Sequence, residues 1–69
     1  MKKKILIDGM MCEHCVGHVK EGLSALNGVE VVEVNLAGKY ALVDTDVSND
    51  KLTEAIEDEG YDVVKIEEQ

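Results

Sequence analysis

The apolar residues of this chain change their spacing along its length, and that change restricts the fold more than any single residue does. Lys4 to Asp8 places Ile5 and Ile7 two apart, as a short strand does, and Gly9 stops the run. Val16, Val19, Leu23 and Leu26 then fall on one face of a helix expected from about Cys12 to Leu26, with Asn27-Gly28 supplying its left-handed end. Val29 to Leu36 returns to alternation, Val32, Val34 and Leu36 on one side and Glu33 and Asn35 on the other. Ala37-Gly38 is a tight turn into Lys39 to Thr45, so the two runs predict a hairpin. Ser48, Asn49 or Asp50 caps a second helix with Leu52, Ala55 and Ile56 as its apolar stripe and Glu54, Glu57 and Asp58 on the wet side. Gly60 ends it, Tyr61 to Ile66 is the last strand, and the Glu-Glu-Gln tail is expected to fray.

The order strand, helix, strand, strand, helix, strand predicts the α+β class. It is the βαββαβ pattern of the ferredoxin-like sandwich, in which two helices cover one face of a four-stranded antiparallel sheet. That fold serves many activities, so function has to be read from particular residues. With 69 residues the chain has room for one domain, residues 1–69, and a core of the size that a bound metal often supplements.

Charge narrows the partners. Fifteen acidic residues against seven basic ones leave a formal charge of −8, which repels phosphate backbones and anionic lipid, so no nucleic acid is expected as partner. MKKKILID begins like an export signal, but its apolar run stops at Asp8, short of the roughly 7 to 15 residues such a signal needs. No stretch is long enough to insert in a membrane. The cytoplasm is the expected compartment, and there a close cysteine pair serves metal binding or catalysis more often than stapling. Lys2 to Lys4, the one basic cluster, reads as a guard against edge pairing or an aid to solubility, with docking as the sharper alternative.

The chemistry is concentrated in GMMCEHC, residues 9 to 15. Cys12 falls in the loop leaving the first strand and Cys15 in the first turn of the helix, where unpaired N–H groups and the helix dipole favour thiolate. His14 and His18 are the other nitrogen donors nearby, but residues 12, 14, 15 and 18 on one helix do not readily surround an ion tetrahedrally, which argues against a closed structural zinc. Two soft thiolates suit Cu(I), and an exposed two-ligand site stays open to an incoming sulfur from another protein. Met10 reads as core packing, with thioether ligation as the alternative, and Met11 as exposed. His14 and His18, at i and i+4, form either a second clip or two solvated side chains, the latter preferred for His18. Tyr61 either shields an ion or covers the end of the core. Glu57, Asp58 and Glu59 read as a solvated helix end, with steering toward a basic partner as the functional alternative.

GMMCEHC fits the G-M-x-C-x-x-C pattern of a known family. With Val16, Val19 and Leu23 behind it, Gly28-Val29 after the first helix and Gly60-Tyr61 before the last strand, the chain resembles the heavy-metal-associated (HMA) domains over nearly its whole length. These include bacterial copper chaperones and the amino-terminal domains of copper-exporting P-type ATPases. The resemblance implies the ferredoxin-like fold, Cys12 and Cys15 as Cu(I) ligands, and delivery to the metal-binding domain of a copper-transporting ATPase or to a copper-responsive partner. It also implies a cargo: domains for zinc, cadmium or lead often carry an acidic residue where this chain has Met11, although Glu13 could serve a harder ion. Tyr61 occupies the place where the bacterial chaperones tend to have a tyrosine facing the metal.

Three other readings compete. A thiol-disulfide enzyme could use C-x-x-C at a helix start, but thioredoxin-like folds are larger and set a cis-proline against the site, and this sequence has no proline. A carrier of Zn(II), Cd(II) or Hg(II) keeps the site and changes the ion. A pure interaction module would leave the cysteines idle. The expectation is a carrier and not an enzyme, monomeric or bridged through metal into a dimer. The start at Met1 and the end three residues after Ile66 favour a free-standing chaperone over a domain of an ATPase.

Overall fold

A computed structural model describes residues 1–69. Its elements run β1 (Lys2–Asp8), α1 (Glu13–Ser24), β2 (Val29–Asn35), β3 (Tyr40–Thr45), α2 (Asn49–Asp58) and β4 (Asp62–Glu68). The four strands form one antiparallel sheet in the order β2-β3-β1-β4, and both helices pack on it and on each other, so the βαββαβ sandwich expected from the sequence is the fold observed.

The core lies between the sheet and the helices. Ile5 and Ile7 from β1, Ala41 and Val43 from β3, Val19 and Leu23 from α1, Leu52 and Ile56 from α2, and Met10 from the motif loop are all buried. Fully burying a Leu or Ile side chain contributes about 1.5 to 3 kcal/mol, so these few residues hold most of the fold's stability. The helical stripes read from spacing are the faces that pack, with Val16, Leu26 and Ala55 half-buried at their margins.

Strands differ from the sequence reading in ways that have local causes. Val32 was expected inside with Val34, yet it is 54% exposed. A bulge between Val31 and Glu33 changes the alternation there, so Val31 faces Val43 and Val34 faces Ala41 on the core side, with Val32 left outside. The Ala37-Gly38 turn spans Leu36 to Lys39, and its left-handed residue is Lys39 (φ 57°). Gly38 is favoured there for space, because a Cβ would overlap the Tyr40 ring. The tail is not frayed: Glu67 pairs with Lys4, Glu68 with Lys3, and the Gln69 amide donates to the Lys2 carbonyl at 2.8 Å. β1 begins at Lys2, two residues earlier than the strand start expected at Lys4, which offers β4 that much more backbone to pair with. Helix α1 ends at Ser24, short of Leu26, and Gly28 (φ 88°) turns the chain into β2.

The lysine cluster is the largest departure. β1 is a middle strand, so Lys2 to Lys4 guard no edge. Lys3 points to the helix side and is only 5% exposed, its ammonium donating to the Val47 carbonyl at 2.9 Å and to Asn49 Oδ1 at 2.8 Å. Those bonds tie β1 to the start of α2 and satisfy a charge that burial would otherwise penalise. Lys4 lies on the other face, 4.5 Å over the Tyr40 ring.

Two glycines of α1 have opposite roles. A Cβ on Gly22 would meet Glu59 Cγ at 2.9 Å and the Ala55 carbonyl at 3.3 Å, so its absence sets how closely the helices approach, whereas Gly17 faces nothing within 4 Å. Gly17→Ala is expected to gain about 1 kcal/mol from helix propensity, and Gly22→Val to lose about 2 kcal/mol by overpacking. Urea unfolding of the two variants checks both signs.

Candidate metal centre

Gly9 (φ 101°) turns the chain out of β1, Met10 anchors the loop in the core at 4% exposure, and Met11, 85% exposed, stands clear of it. Met10 is thus a packing residue and Met11 a surface one, as their positions suggested. Cys12 is the N-cap of α1, its extended backbone (φ −159°, ψ 173°) letting its carbonyl accept from the Cys15 amide at 3.0 Å and from Val16 at 3.2 Å. Its side chain makes no cap bond, which leaves the sulfur free for other chemistry.

The two thiols converge. Cys12 Sγ lies 3.6 Å from Cys15 Sγ, less than twice the ~2.3 Å of a metal–thiolate bond, so a single ion can contact both. Both are free thiols, Cys12 exposed and Cys15 half-buried. No group of three or more His, Cys, Asp and Glu side chains converges anywhere in the chain. The site therefore offers two donors and an open side, and His14 and His18 do not close it into a four-ligand zinc cage. The two concave surfaces, one between α1 and α2 around Gly22 and Ala55 and one beside Met1 and Thr45, both lie away from the cysteines.

The surroundings favour thiolate at Cys15. The Met11 backbone N–H, then the Tyr61 hydroxyl, then the Cys12 thiol lower its pKa from the ordinary 9.0 to about 7, against the opposing effect of partial burial. The same proximity pushes the Tyr61 hydroxyl up to about 12, because its proton is held by the Cys15 sulfur, partial burial disfavours the phenolate, and the neighbouring thiolate would repel it. Folding lowers the Cys15 value, so the thiolate's contribution to stability is complete above pH 9 and is lost as pH falls through about 7. Site-resolved alkylation followed by mass spectrometry is expected to show Cys15 half-reactive near pH 7, and Tyr61→Phe should move that midpoint upward. A midpoint that stays in place in Tyr61→Phe would remove the tyrosine from this account.

Tyr61 reaches the motif from the far end of the chain. Gly60 (φ 94°) directs it off α2, and its ring edge lies 3.5 Å from where a Gly9 Cβ would stand, an ordinary packing distance, so it is the left-handed backbone of Gly9 (φ 101°) that calls for glycine there. Its hydroxyl lies 3.3 Å from His18 Nδ1. Sequence reasoning preferred His18 as a solvated side chain and did not connect it to Tyr61. Only the i, i+3 step from Cys15 to His18 hinted that the two share a helix face. His14 is exposed and does not join the two sulfurs in a group of three donors.

Comparison with known proteins agrees with this architecture. The model of the heavy-metal-associated domain matches residues 4–62. The copper chaperone CopZ of Staphylococcus haemolyticus is 46% identical over 66 residues, 91% of this chain and 97% of that protein. Among solved structures, a CopZ metallochaperone superposes with a TM-score of 0.87 at 36% identity, covering 93% of this chain and all of that one. A copper-binding domain from HMA7, a P-type ATPase, does so at 0.85 and 31% identity, covering 99% and 100%. With its pattern of elements, its exposed cysteine pair and a family match over most of its length, the chain belongs to the heavy-metal-associated domain family.

Proposed function

We propose that this chain is a copper chaperone that carries Cu(I) on Cys12 and Cys15 and hands it to the metal-binding domain of a copper-transporting P-type ATPase. The observation that carries the reading is the pair of sulfurs 3.6 Å apart at an exposed helix start, with no third or fourth donor. Cu(I) is soft and satisfied by two or three sulfurs, whereas Zn(II) in a structural site takes four ligands. Met11, flanking the pair without a carboxylate, supports the same ion. The similarity to CopZ chaperones and to a copper-binding ATPase domain supports the cargo and the class of partner.

Transfer follows from the open side. A partner thiolate attacks the bound ion and forms a third Cu–S bond. Cys12, the more exposed sulfur, then releases its bond and takes up a proton. A second partner sulfur displaces Cys15, which its surroundings let leave as thiolate more readily than an ordinary thiol. The copper keeps its oxidation state throughout, and no free ion appears. The reading makes residues 1–69 one heavy-metal-associated domain acting in the cytoplasm as a carrier with no catalytic step. No helix is long and apolar enough to cross a membrane.

The test is an anaerobic titration of the fully reduced protein with Cu(I) against a competing chelator, repeated with Zn(II) and with Cys12→Ser/Cys15→Ser. Expected is tight Cu(I) binding that survives excess Zn(II) and disappears in the double variant. Preference for Zn(II), or binding that persists without the sulfurs, would move the site toward Glu13, His14 and His18 and overturn the proposal.

A further inference from the structure

The His18–Tyr61 contact joins two residues 43 positions apart at the flank of the cysteine pair, and the exposed His18 ring is not needed by the core to be there. Tyr61 has its backbone fixed: its amide donates to the Ile56 carbonyl at 3.3 Å, and its ring lies at packing distance from Gly9. The ring's edge packs against the core cluster. What the backbone and core do not fix is the far end of the side chain, the hydroxyl. Its one bond of defined geometry is to His18 Nδ1. His18 sits one turn beyond Cys15 on α1, so a bond from it to Tyr61 holds the loop before β4 against the same helix face that carries the half-buried sulfur.

We infer that His18 is a positioning residue: by bonding the Tyr61 hydroxyl it latches that ring beside Cys15 and closes one flank of the thiol pair, so that an incoming ligand reaches the ion from the Cys12 side. The inference rests on the proposed carrier function and adds to it a residue that slows extraction of the ion by small competitors. When Nδ1 carries the proton, its N–H donates to Tyr61 Oη and leaves the hydroxyl proton available to the neighbouring sulfur. This tautomer supplies the donor across the 3.3 Å contact and is the one the latch uses. A single exposed hydrogen bond has a modest effect, on the order of a few-fold to tenfold in a rate or population.

Two measurements test it. In the apo, reduced protein, long-range ¹H–¹⁵N spectra of the imidazoles are expected to show His18 with Nδ1 protonated, and Tyr61→Phe is expected to change the His18 pattern while leaving His14 as it was. An unchanged His18 pattern would overturn the latch. This arm contains no copper, so it decides the contact even where the copper reading fails.

In the copper-loaded protein, release to a chelator is expected to accelerate about three- to tenfold in His18→Ala and at least as much in Tyr61→Phe. The double variant should be no faster than Tyr61→Phe alone, and His18→Gln, which keeps a donor, should restore most of the wild-type rate. Wild type that takes up no Cu(I) would sink the carrier reading. Wild type that binds Cu(I) but releases it at the rate of His18→Ala would sink the latch alone, as would additive effects in the double variant.

Discussion

Loading the reduced protein with Cu(I) is expected to raise its melting temperature by on the order of 20 °C, and Cys12→Ser/Cys15→Ser is expected to abolish the rise. A ligand held only by the folded state adds about 4 kcal/mol when its free concentration is a thousand times its dissociation constant. For a domain of this size each kcal/mol corresponds to about 4 to 8 °C. The unfolded chain also has both cysteines, but it does not hold them together. The 3.6 Å separation depends on Cys12 capping α1, on Gly9 turning the loop, and on Met10 anchoring it. Differential scanning calorimetry without oxygen, with Cu(I) buffered by a chelator, measures the shift. No change in wild type would mean that the pair does not hold the ion tightly, and an equal shift in the serine variant would place the ion elsewhere.

Leu23→Ala is expected to cost about 3 kcal/mol and to lower the apo melting temperature by about 15 °C. Leu23 is fully buried, on the core side of α1. At about 0.05 to 0.15 kcal/mol per residue, a chain of this length has about 3 to 10 kcal/mol in all. The loss is therefore a large share of the total, and the apo variant should be partly unfolded near 37 °C. Because α1 also carries Cys15, copper should restore much of the lost melting temperature in Leu23→Ala. Chemical unfolding of apo and loaded forms provides the check, and a cost below about 1 kcal/mol would mean that the site collapses to fill the cavity.

The two outcomes separate the local from the distributed. Copper acts on one loop-to-helix junction, and Leu23 acts on the packing that orients that junction. If copper stabilised wild type yet did nothing for Leu23→Ala, the loop would be too loosely held in the variant to bring the sulfurs together.

Sequence alone determined the order of elements, because each is written in a local period: Ile5 and Ile7 two apart, Val19 and Leu23 one helical turn apart, Leu52 and Ile56 likewise. It determined the thiol pair too, since C-x-x-C at a helix start brings two sulfurs near each other through local backbone geometry. It also placed Met10 in the core and Met11 outside. Tertiary structure decided the rest. The strand order put β1 in the middle of the sheet and so turned Lys3 from a supposed edge guard into a buried tie between β1 and α2. The bulge in β2 exposed Val32, and the extended start of β1 gave Glu67 and Glu68 backbone partners. His18 and Tyr61 meet across 43 residues, a contact no local spacing encodes. The physical reason is common to all of these: period and capping act within a turn or two of chain, whereas a buried ammonium, a bulge or a cross-chain hydrogen bond is set by which distant backbone happens to lie opposite once the layers have packed.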